Sequence, residues 1–429
     1  MKVTVLGLWH LGTVTAACLV AAGHDVTGLD FNPEVIEGLD AGIPPLLEPD
    51  LEQLVRAGRA GGRLTFTTDA ASAVPGRDVL WVTYDTPVDD DDRADVEYVL
   101  AQVRRTFPYL DAGTLVLISS QLPVGTVRRL EQEFAGARPG IAVGFACSPE
   151  NLRLGKAIEV FSKPDRVIIG VRSAADRARV TDLFGPITDR LEFMSVESAE
   201  MTKHAINAFL ATSVTFINEL ATLCEQVGAD AKEVERGLKT EARIGPKAYL
   251  GPGAAFAGGT LARDVVFLRE LGRHVARATP LMDGVDTSNR THRGWARQRL
   301  QQELGALAGK TIAVWGLTYK PGTDTLRRSM AAELCGWLLA QGAHVRVHDA
   351  AVKDLPPELQ ALTQVGTPVD AARGAAALVV ATEWPEYRQV PADTLATALC
   401  GTLVLDANRF LDSTLGADAR FRLVSVGRG

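Results

Sequence analysis

The sequence of 429 residues is too long for one ordinary hydrophobic core, so two or three domains are expected. Hydrophobic residues make up 46% of the chain and charged residues 23%, and the net charge of −7 leaves no general basic excess for nucleic acid. The composition therefore indicates a globular protein and argues against DNA or RNA binding.

The N-terminus argues against export, because residues 1–7 lead directly into a strand pattern rather than a signal peptide. No stretch is expected to reach the uninterrupted apolar length of a membrane span, so we predict a cytoplasmic protein. The five cysteines have no CxxC spacing and are predicted to be buried, inert thiols. His344 and His348 share one face of a predicted strand and are expected at the surface, and no metal site is predicted.

Apolar strand runs alternate with helical patterns in the first part of the chain, at residues 3–6, 14–22, 26–30, 79–83 and 115–119. This rhythm is typical of a doubly wound parallel sheet. Residues 198–227 then show apolar positions three and four apart, which predicts one long helix.

A second series of strand runs follows the long helix, at residues 311–316, 343–349, 377–382 and 402–406. We therefore predict an α/β protein with two Rossmann-like, doubly wound parallel-sheet domains joined by a long central helix and a helical middle domain. The predicted boundaries are residues 1–196, 197–300 and 301–429.

A dinucleotide fingerprint follows the first predicted strand, and its residues are Gly7, Trp9, His10, Leu11, Gly12 and, at the end of the second strand, Asp30. The Asp30 carboxylate is expected to accept hydrogen bonds from the adenosine ribose and to repel a 2′-phosphate, which favours NAD over NADP. Trp9 replaces the glycine that normally lets the main chain approach the pyrophosphate. The alternative is that the glycines are ordinary turn residues in a site that no longer binds a dinucleotide.

Further segments along nearly the whole chain complete a pattern that resembles the UDP-glucose/GDP-mannose dehydrogenase family. These segments are Thr86-Pro87, residues 121–126 (QLPVGT), 148–155 (SPENLRLG), Lys203 with Asn207, 258–264 (GGTLARD), 316–324 (GLTYKPGTD) and 327–329 (RRS). The resemblance implies NAD as coenzyme, a nucleotide-diphosphate sugar as substrate and a homodimer formed through the central helix.

The resemblance also implies the catalytic residues. Thr260 stands where the family has a nucleophilic cysteine, and a hydroxyl that stays protonated at neutral pH is a poor replacement for a thiolate. Glu150 matches the first of two family glutamates, whereas the second is Leu154 here. Glu150 is then a base or water anchor, and its alternative is a carboxylate at a helix start.

Lys203 and Asn207, one helical turn apart, match the family residues that stabilise a developing oxyanion. Asp264 is retained, and it would form a proton-handling pair with Lys203 if the fold brings them together. The alternatives are a solvated surface lysine and a structural ion pair.

The remaining predicted contacts come from the same resemblance. Coenzyme binding is assigned to Thr86, Pro87, Gln121 and Arg327, and Arg327 is also a phosphate partner together with Lys320. Substrate binding is assigned to Asn151, Leu152, Arg153, Arg243, Gly259, Arg263, Tyr319 and Lys320.

Three functions fit this set of residues. The first is NAD-dependent oxidation of a nucleotide sugar, at C6, without a covalent thioester. The second is an NAD-dependent epimerase or a dehydrogenase that stops at the aldehyde. The third is a catalytically silent nucleotide-sugar binder, which Trp9 and Thr260 together suggest.

Overall fold

A computed structural model describes residues 1–89, 93–150, 152–257 and 259–428. The chain divides into two compact units, residues 1–206 and 207–429. The predicted division into three domains at residues 196 and 300 remains a prediction.

The first unit contains an eight-stranded sheet of order β3-β2-β1-β4-β5-β6-β7-β8. Its strands are β1 (Lys2–Leu6), β2 (Asp25–Leu29), β3 (Leu64–Thr67), β4 (Val79–Val82), β5 (Leu115–Ile118), β6 (Gly144–Cys147), β7 (Val167–Gly170) and β8 (Leu191–Met194). All neighbouring strands are parallel except β6 and β7, which pair antiparallel at Cys147 and Gly170.

Helices cover both faces of this sheet, so its central strands are buried runs of mostly apolar residues, as parallel sheets require. These helices are α1 (His10–Ala21), α2 (Pro33–Asp40), α3 (Leu51–Ala60), α4 (Ala70–Ala73), α5 (Val96–Arg104), α6 (Thr126–Ala137), α7 (Ala157–Ser162) and α8 (Ala174–Phe184). A short 3-10 helix lies at Phe107–Tyr109.

The predicted long helix is α9 (Val196–Val227), which has 32 residues and starts in the first unit. By length and composition alone it passes as a membrane span, since the mean hydropathy of its most apolar window is 1.2. Half of that window is buried inside the protein, as in a helix that belongs to a protein core.

The second unit contains a six-stranded parallel sheet of order β11-β10-β9-β12-β13-β14. Its strands are β9 (Thr311–Trp315), β10 (His344–His348), β11 (Thr363–Gln364), β12 (Ala377–Val380), β13 (Leu403–Asp406) and β14 (Arg422–Val424). Its helices are α10 (Ala231–Thr240), α11 (Thr260–His274), α12 (Pro280–His292), α13 (Trp295–Leu304), α14 (Met330–Ala340), α15 (Pro368–Ala372), α16 (Ala392–Ala398) and α17 (Asp412–Leu415), with 3-10 turns at Pro357–Leu359 and Pro385–Gln389.

The first turns of the two sheets are built alike. Gly7 donates its N–H to Leu29 O (2.9 Å), and Gly316 donates to His348 O (2.8 Å). Each second strand is followed by a buried aspartate, Asp30 or Asp349, that accepts main-chain N–H groups of its own turn. The two sheets thus begin with the same strand-turn-helix arrangement.

Two expectations from the sequence are wrong. Cys400 is exposed, because it lies in the turn after α16, whereas the other four cysteines are buried. His348 is buried at the end of β10, where its Nδ1 lies 3.2 Å from the Tyr387 hydroxyl, and burial lowers its pKa.

Candidate active site and coenzyme site

The turn between β1 and α1 is tight enough to require both glycines of the fingerprint. Gly7 has φ of +95°, and a Cβ there would lie 2.7 Å from the ring of Tyr84. A Cβ at Gly12 would lie 1.7 Å from the Gly7 carbonyl oxygen. The close packing of α1 against this turn therefore depends on the absence of a side chain at Gly12.

The N-terminus of α1 suits an anionic group. Trp9 is the N-cap, no side chain caps the helix, and the first turn contains no acidic residue. Main-chain N–H groups of His10 and Leu11 at this position are donors of the kind that bind a diphosphate. Trp9 has φ of −73°, so tryptophan is accommodated here without strain, and its side chain is 46% exposed. This cradle fits the diphosphate of a dinucleotide.

Asp30 lies where the ribose contact is expected, directly after β2. Its Oδ2 accepts from Leu8 N (2.7 Å) and its Oδ1 from Asn32 N (2.9 Å). Each carboxylate oxygen keeps a lone pair for a further donor, which fits a ribose hydroxyl. These contacts fix the carboxylate at the edge of the β1–α1 turn.

His10 joins this turn to the segment that precedes α7. Its Nε2 lies 2.9 Å from Glu48 Oε2, and the buried Glu48 also accepts from Gly155 N and Ala157 N at 2.8 Å each. No sequence pattern pointed to Glu48, because it is 38 residues from His10 and 107 from Gly155.

The loop after β5, which contains Gln121, is held from several sides. Thr86 Oγ1 donates to Gln121 O (2.7 Å), so two predicted coenzyme residues do meet. His204 Nε2 bonds to Leu122 O (2.9 Å), and Glu200 accepts from the N–H groups at the start of α6, including Gly125 N (2.7 Å). Pro87, in contrast, is exposed.

Glu200 and His204 were missed from the sequence, although they flank Lys203 on α9 at helical spacing. Burial raises the pKa of the Glu200 carboxyl, and its two main-chain donors partly oppose that rise. The face of α9 that carries Lys203 therefore also anchors the loop after β5.

Lys203 is buried rather than solvated, with 9% of its surface exposed. Its Nζ donates to Glu150 O (2.6 Å) and lies 4.0 Å from Glu150 Oε1. The surface-lysine alternative is therefore wrong. Around this amine lies a small cavity lined by residues from the ends of β5 and β6 and from α9, among them Ser120, Gln121, Pro149, Glu150 and Lys203.

Glu150 does not start a helix, because α7 begins only at Ala157, so that alternative is also wrong. Its Oε2 accepts from Leu152 N (2.6 Å). Leu152 is half-buried and Arg153 is exposed, whereas the predicted substrate residue Asn151 lies outside the described residues.

In the second unit, Asn207 Nδ2 donates to Asp264 Oδ2, and Asp264 is fully buried. Thr260 is the first residue of α11 and is exposed, directly after Gly259 with φ of +101°. Arg263 lies on the first turn of α11, and its N–H bonds to Gly259 O (2.8 Å). Gly258 lies outside the described residues.

The loop that leads to this helix is fixed by amide side chains that sequence reasoning missed. Asn289 bonds both the N–H and the carbonyl of Phe256, at 3.0 and 2.9 Å. Asn218 Oδ1 accepts from Gly253 N (3.0 Å), and Asn408 Oδ1 accepts from Ala254 N (2.7 Å). These bonds satisfy main-chain groups of residues 253–256 and hold the approach to Thr260 in place.

The predicted phosphate and substrate residues of the second unit lie in exposed loops. Tyr319 donates its N–H to Thr325 O (3.0 Å), Lys320 is half-buried, and Arg327 is exposed. Tyr319 is partly exposed, but partial desolvation, with a smaller effect of Tyr249, raises the pKa of its hydroxyl. Arg243 is exposed and pairs with Glu241 at 2.9 Å.

Comparison with known proteins decides the family. Three models of the UDP-glucose/GDP-mannose dehydrogenase family match the chain: the NAD binding domain over residues 1–188, the central domain over 197–291 and the UDP binding domain over 313–413. The chain belongs to this family. It is 35% identical over its whole length to all of the UDP-glucose 6-dehydrogenase of Rhizobium meliloti (strain 1021).

Other members of the family also match this chain over nearly its whole length. The UDP-glucose 6-dehydrogenase of Pseudomonas aeruginosa is 33% identical, over 100% of this chain and 98% of that protein. The structure of a UDP-glucose dehydrogenase from Pyrobaculum islandicum is 30% identical with a TM-score of 0.86, covering 96% of this chain and 95% of that one. A UDP-D-ManNAc dehydrogenase from Pyrococcus horikoshii matches over 100% of both chains, with 25% identity and a TM-score of 0.88.

Membership of the family confirms the predicted fold class, the NAD coenzyme and the oxidoreductase activity on a nucleotide sugar. The roles of the individual site residues remain predictions.

Proposed function

We propose that this dehydrogenase oxidises the C6 hydroxymethyl group of a UDP-hexose without a covalent enzyme intermediate. The observation that carries the proposal is the buried Lys203 amine beside Glu150, in a chain that has a threonine at position 260. The UDP-glucose 6-dehydrogenases among its relatives favour UDP-glucose as the first substrate to test.

The first oxidation removes a hydride from C6 and a proton from its hydroxyl. NAD supplies the hydride acceptor when it is bound. Lys203 stabilises the negative charge that develops on the oxygen, and the Asn207 amide, oriented by Asp264, supplies a hydrogen-bond donor. Asp264 takes the hydroxyl proton through a water molecule.

The second oxidation starts from a hydrated aldehyde. Water adds across the aldehyde to give a gem-diol, and Glu150 orients this water or accepts its proton. Loss of a second hydride and a proton from the gem-diol gives the carboxylic acid. This route needs no thiol, and so it is compatible with Thr260 and Leu154.

We also propose an alternative in which the reaction stops at the aldehyde or inverts C5. It is favoured by Leu154, which puts an apolar side chain where the family resemblance has a second glutamate. A C6 aldehyde acidifies the C5 hydrogen, so loss and return of that proton followed by return of the hydride gives an epimer without net oxidation.

One assay separates these outcomes. The protein is incubated with NAD and UDP-, GDP- and TDP-sugars in deuterated water, and NADH absorbance and product mass are followed together. Two NADH per sugar support the acid, one supports the aldehyde, and solvent deuterium without NADH supports epimerisation. Binding without any of these products supports a silent nucleotide-sugar binder and refutes the proposal.

Two variants test the assigned roles. Lys203→Met is expected to lower kcat by roughly 100-fold or more, because a charged group aimed at the developing oxyanion is lost. The exposed Lys156→Met is the matched control and is expected to keep the wild-type rate. Thr260→Ala is expected to retain most activity, and a collapse of turnover would show that the hydroxyl is a nucleophile.

We propose that the exposed Tyr249 and Tyr319 form the wall on which the nucleotide base stacks, with Lys320 and Arg327 as partners of the diphosphate. Tyr319→Ala should then weaken UDP binding measured by calorimetry, and unchanged binding would remove the tyrosine from the site.

We propose a cytoplasmic homodimer formed through α9. Phe209, Phe216 and Leu223 are exposed and recur every seven residues, so they form one apolar stripe of a helix. A second copy of α9 presents the same stripe, which suits a two-fold symmetric contact. Phe216→Glu should shift the mass measured by light scattering toward the monomer, and an unchanged mass would refute this interface.

A further inference from the structure

A group of side chains beside Asp30 remains unused by the proposed chemistry. Tyr98 and Arg105 lie seven residues apart on one face of α5 and its C-cap, and Arg105 lies over Phe31, the residue that directly follows Asp30. Gln102 lies between them on the same face. We call Phe31, Tyr98, Gln102 and Arg105 the α5 wall.

Two contacts hold the Arg105 guanidinium of the α5 wall in one orientation. The Arg105 guanidinium lies over the Phe31 ring, 3.4 Å from its centroid, and Arg105 Nη1 donates to Gln102 Oε1 (3.0 Å). The guanidinium is therefore fixed against an aromatic surface on one side, while the Arg105 side chain is exposed to solvent.

Tyr98 connects the α5 wall to the turn between β1 and α1. Its ring packs edge-on against the ring of Tyr84, with the two centroids 5.9 Å apart. The Tyr84 ring also packs against Gly7. Burial and the nearby Asp30 carboxylate raise the pKa of the Tyr98 hydroxyl, so this phenol stays protonated and able to donate.

The position of the α5 wall follows from the order of groups in a dinucleotide. The diphosphate fits the N-terminus of α1 and the adenosine ribose fits Asp30, so the adenine, attached to that ribose, lies beyond Asp30. The next residue in that direction along the chain is Phe31, with Arg105 above it.

We propose that the adenine base of NAD stacks on the solvent-facing side of the Arg105 guanidinium, which Phe31 supports from the other side, with Tyr98 at its edge. Arginine planes and nucleobases stack well because a delocalised cation meets an extended π-surface. Arg105 thereby contributes to the affinity for the adenosine half of the coenzyme.

A second use of Arg105 would be to bind a 2′-phosphate. The Asp30 carboxylate opposes this use, since it would meet a 2′-phosphate with like charge. The stacking role therefore predicts that Arg105 raises the affinity for NAD and ADP-ribose, neither of which has a 2′-phosphate.

Calorimetry with ADP-ribose, which lacks the nicotinamide, tests the proposal on the full-length protein. Arg105→Ala should weaken ADP-ribose binding about tenfold, which corresponds to about 1.4 kcal/mol. Arg105→Lys should weaken it to a similar extent, because an ammonium group keeps the charge but not the plane.

The control is Arg104→Ala, which removes an equal charge one residue away, from a guanidinium paired with Glu97 and Glu133. It should leave the Kd for ADP-ribose within twofold of the wild-type value. Equal melting temperatures of the two Arg105 variants and the wild type separate a lost contact from a damaged fold.

Several outcomes overturn the stacking role. They are an Arg105→Ala Kd within twofold of wild type, a Lys variant that binds like wild type, or a loss seen only with 2′-phospho-ADP-ribose. Failure of the wild-type protein to bind ADP-ribose would instead show that the coenzyme site itself is closed, and this would overturn the NAD-dependent function as well.

Discussion

Replacing Thr260 with cysteine tests whether the rest of the site still favours a thiolate. Thr260 is the first residue of α11, and this helix has 15 residues, no side-chain cap and no acidic residue in its first turn. The positive end of the helix dipole is therefore not neutralised by a side chain at the point where the new thiol would stand.

The expected size of the effect follows from that position. A charge at an exposed helix N-terminus gains about 0.3–1 kcal/mol, which lowers a thiol pKa by roughly 0.2–0.7 from about 8.5. At the upper limit the pKa falls to about 7.8, and the thiolate fraction at pH 7 rises from about 3% to about 14%. Because the nucleophilicity of a thiolate falls with its pKa, the introduced thiol should at this limit react about twice as fast as an ordinary exposed one.

Alkylation by iodoacetamide as a function of pH measures this pKa. Cys400 is the exposed native thiol, so the measurement uses Thr260→Cys in a Cys400→Ala background, and Cys400 in the wild-type protein is the reference. A pKa of the introduced thiol equal to or above that of Cys400 would refute the argument from the helix N-terminus. Gain of a covalent substrate adduct would further show that the threonine alone blocks the thioester route.

Three further predictions concern stability and coenzyme binding. Gly12→Ala should abolish NAD binding in calorimetry because its Cβ has no room, whereas Gly136→Ala, in α6 with open space around it, should bind NAD normally. Asn289→Ala should lower the free energy of unfolding by about 1–3 kcal/mol in urea titrations, and a smaller loss would show that the loop before Thr260 does not depend on this amide. The Arg172 guanidinium lowers the pKa of Glu197 to about 2, so Glu197→Gln should cost stability at pH 7. That difference should disappear as the pH falls from about 4.5 to 2, and a pH-independent difference would contradict the ion pair.

Local patterns in the sequence predicted the sheets and the long helix well. Buried parallel strands such as β4 and β5 are continuous apolar runs, and α9 has apolar residues at helical spacing, so each leaves its own signature. The turn glycines were predictable for the same reason, since the spacing of Gly7 and Gly12 directly after a strand is characteristic of a dinucleotide-binding turn.

The supports of the site could not be predicted, because they depend on contacts between distant residues. Glu48 meets His10 and Gly155, Glu200 meets the start of α6, and Asn289 meets Phe256. A buried carboxylate or amide has no sequence pattern of its own, and its partner is fixed only when the whole unit packs. The same applies to Cys400 and His348, whose exposure depends on the turn or strand end that carries them.

The two sheet turns look alike, but their aspartates differ in how many hydrogen bonds they can still accept. Asp349 Oδ2 accepts from Leu317 N (2.6 Å), Thr318 N (3.1 Å) and Trp384 Nε1 (3.1 Å), and its Oδ1 accepts from two more main-chain N–H groups. Donors of the same domain therefore use the lone pairs of the Asp349 carboxylate. Asp30 accepts one main-chain hydrogen bond on each oxygen, so it can still accept one from a sugar hydroxyl. We therefore expect one dinucleotide per polypeptide, bound at the turn between β1 and α1, which leaves the turn after β9 to the nucleotide sugar.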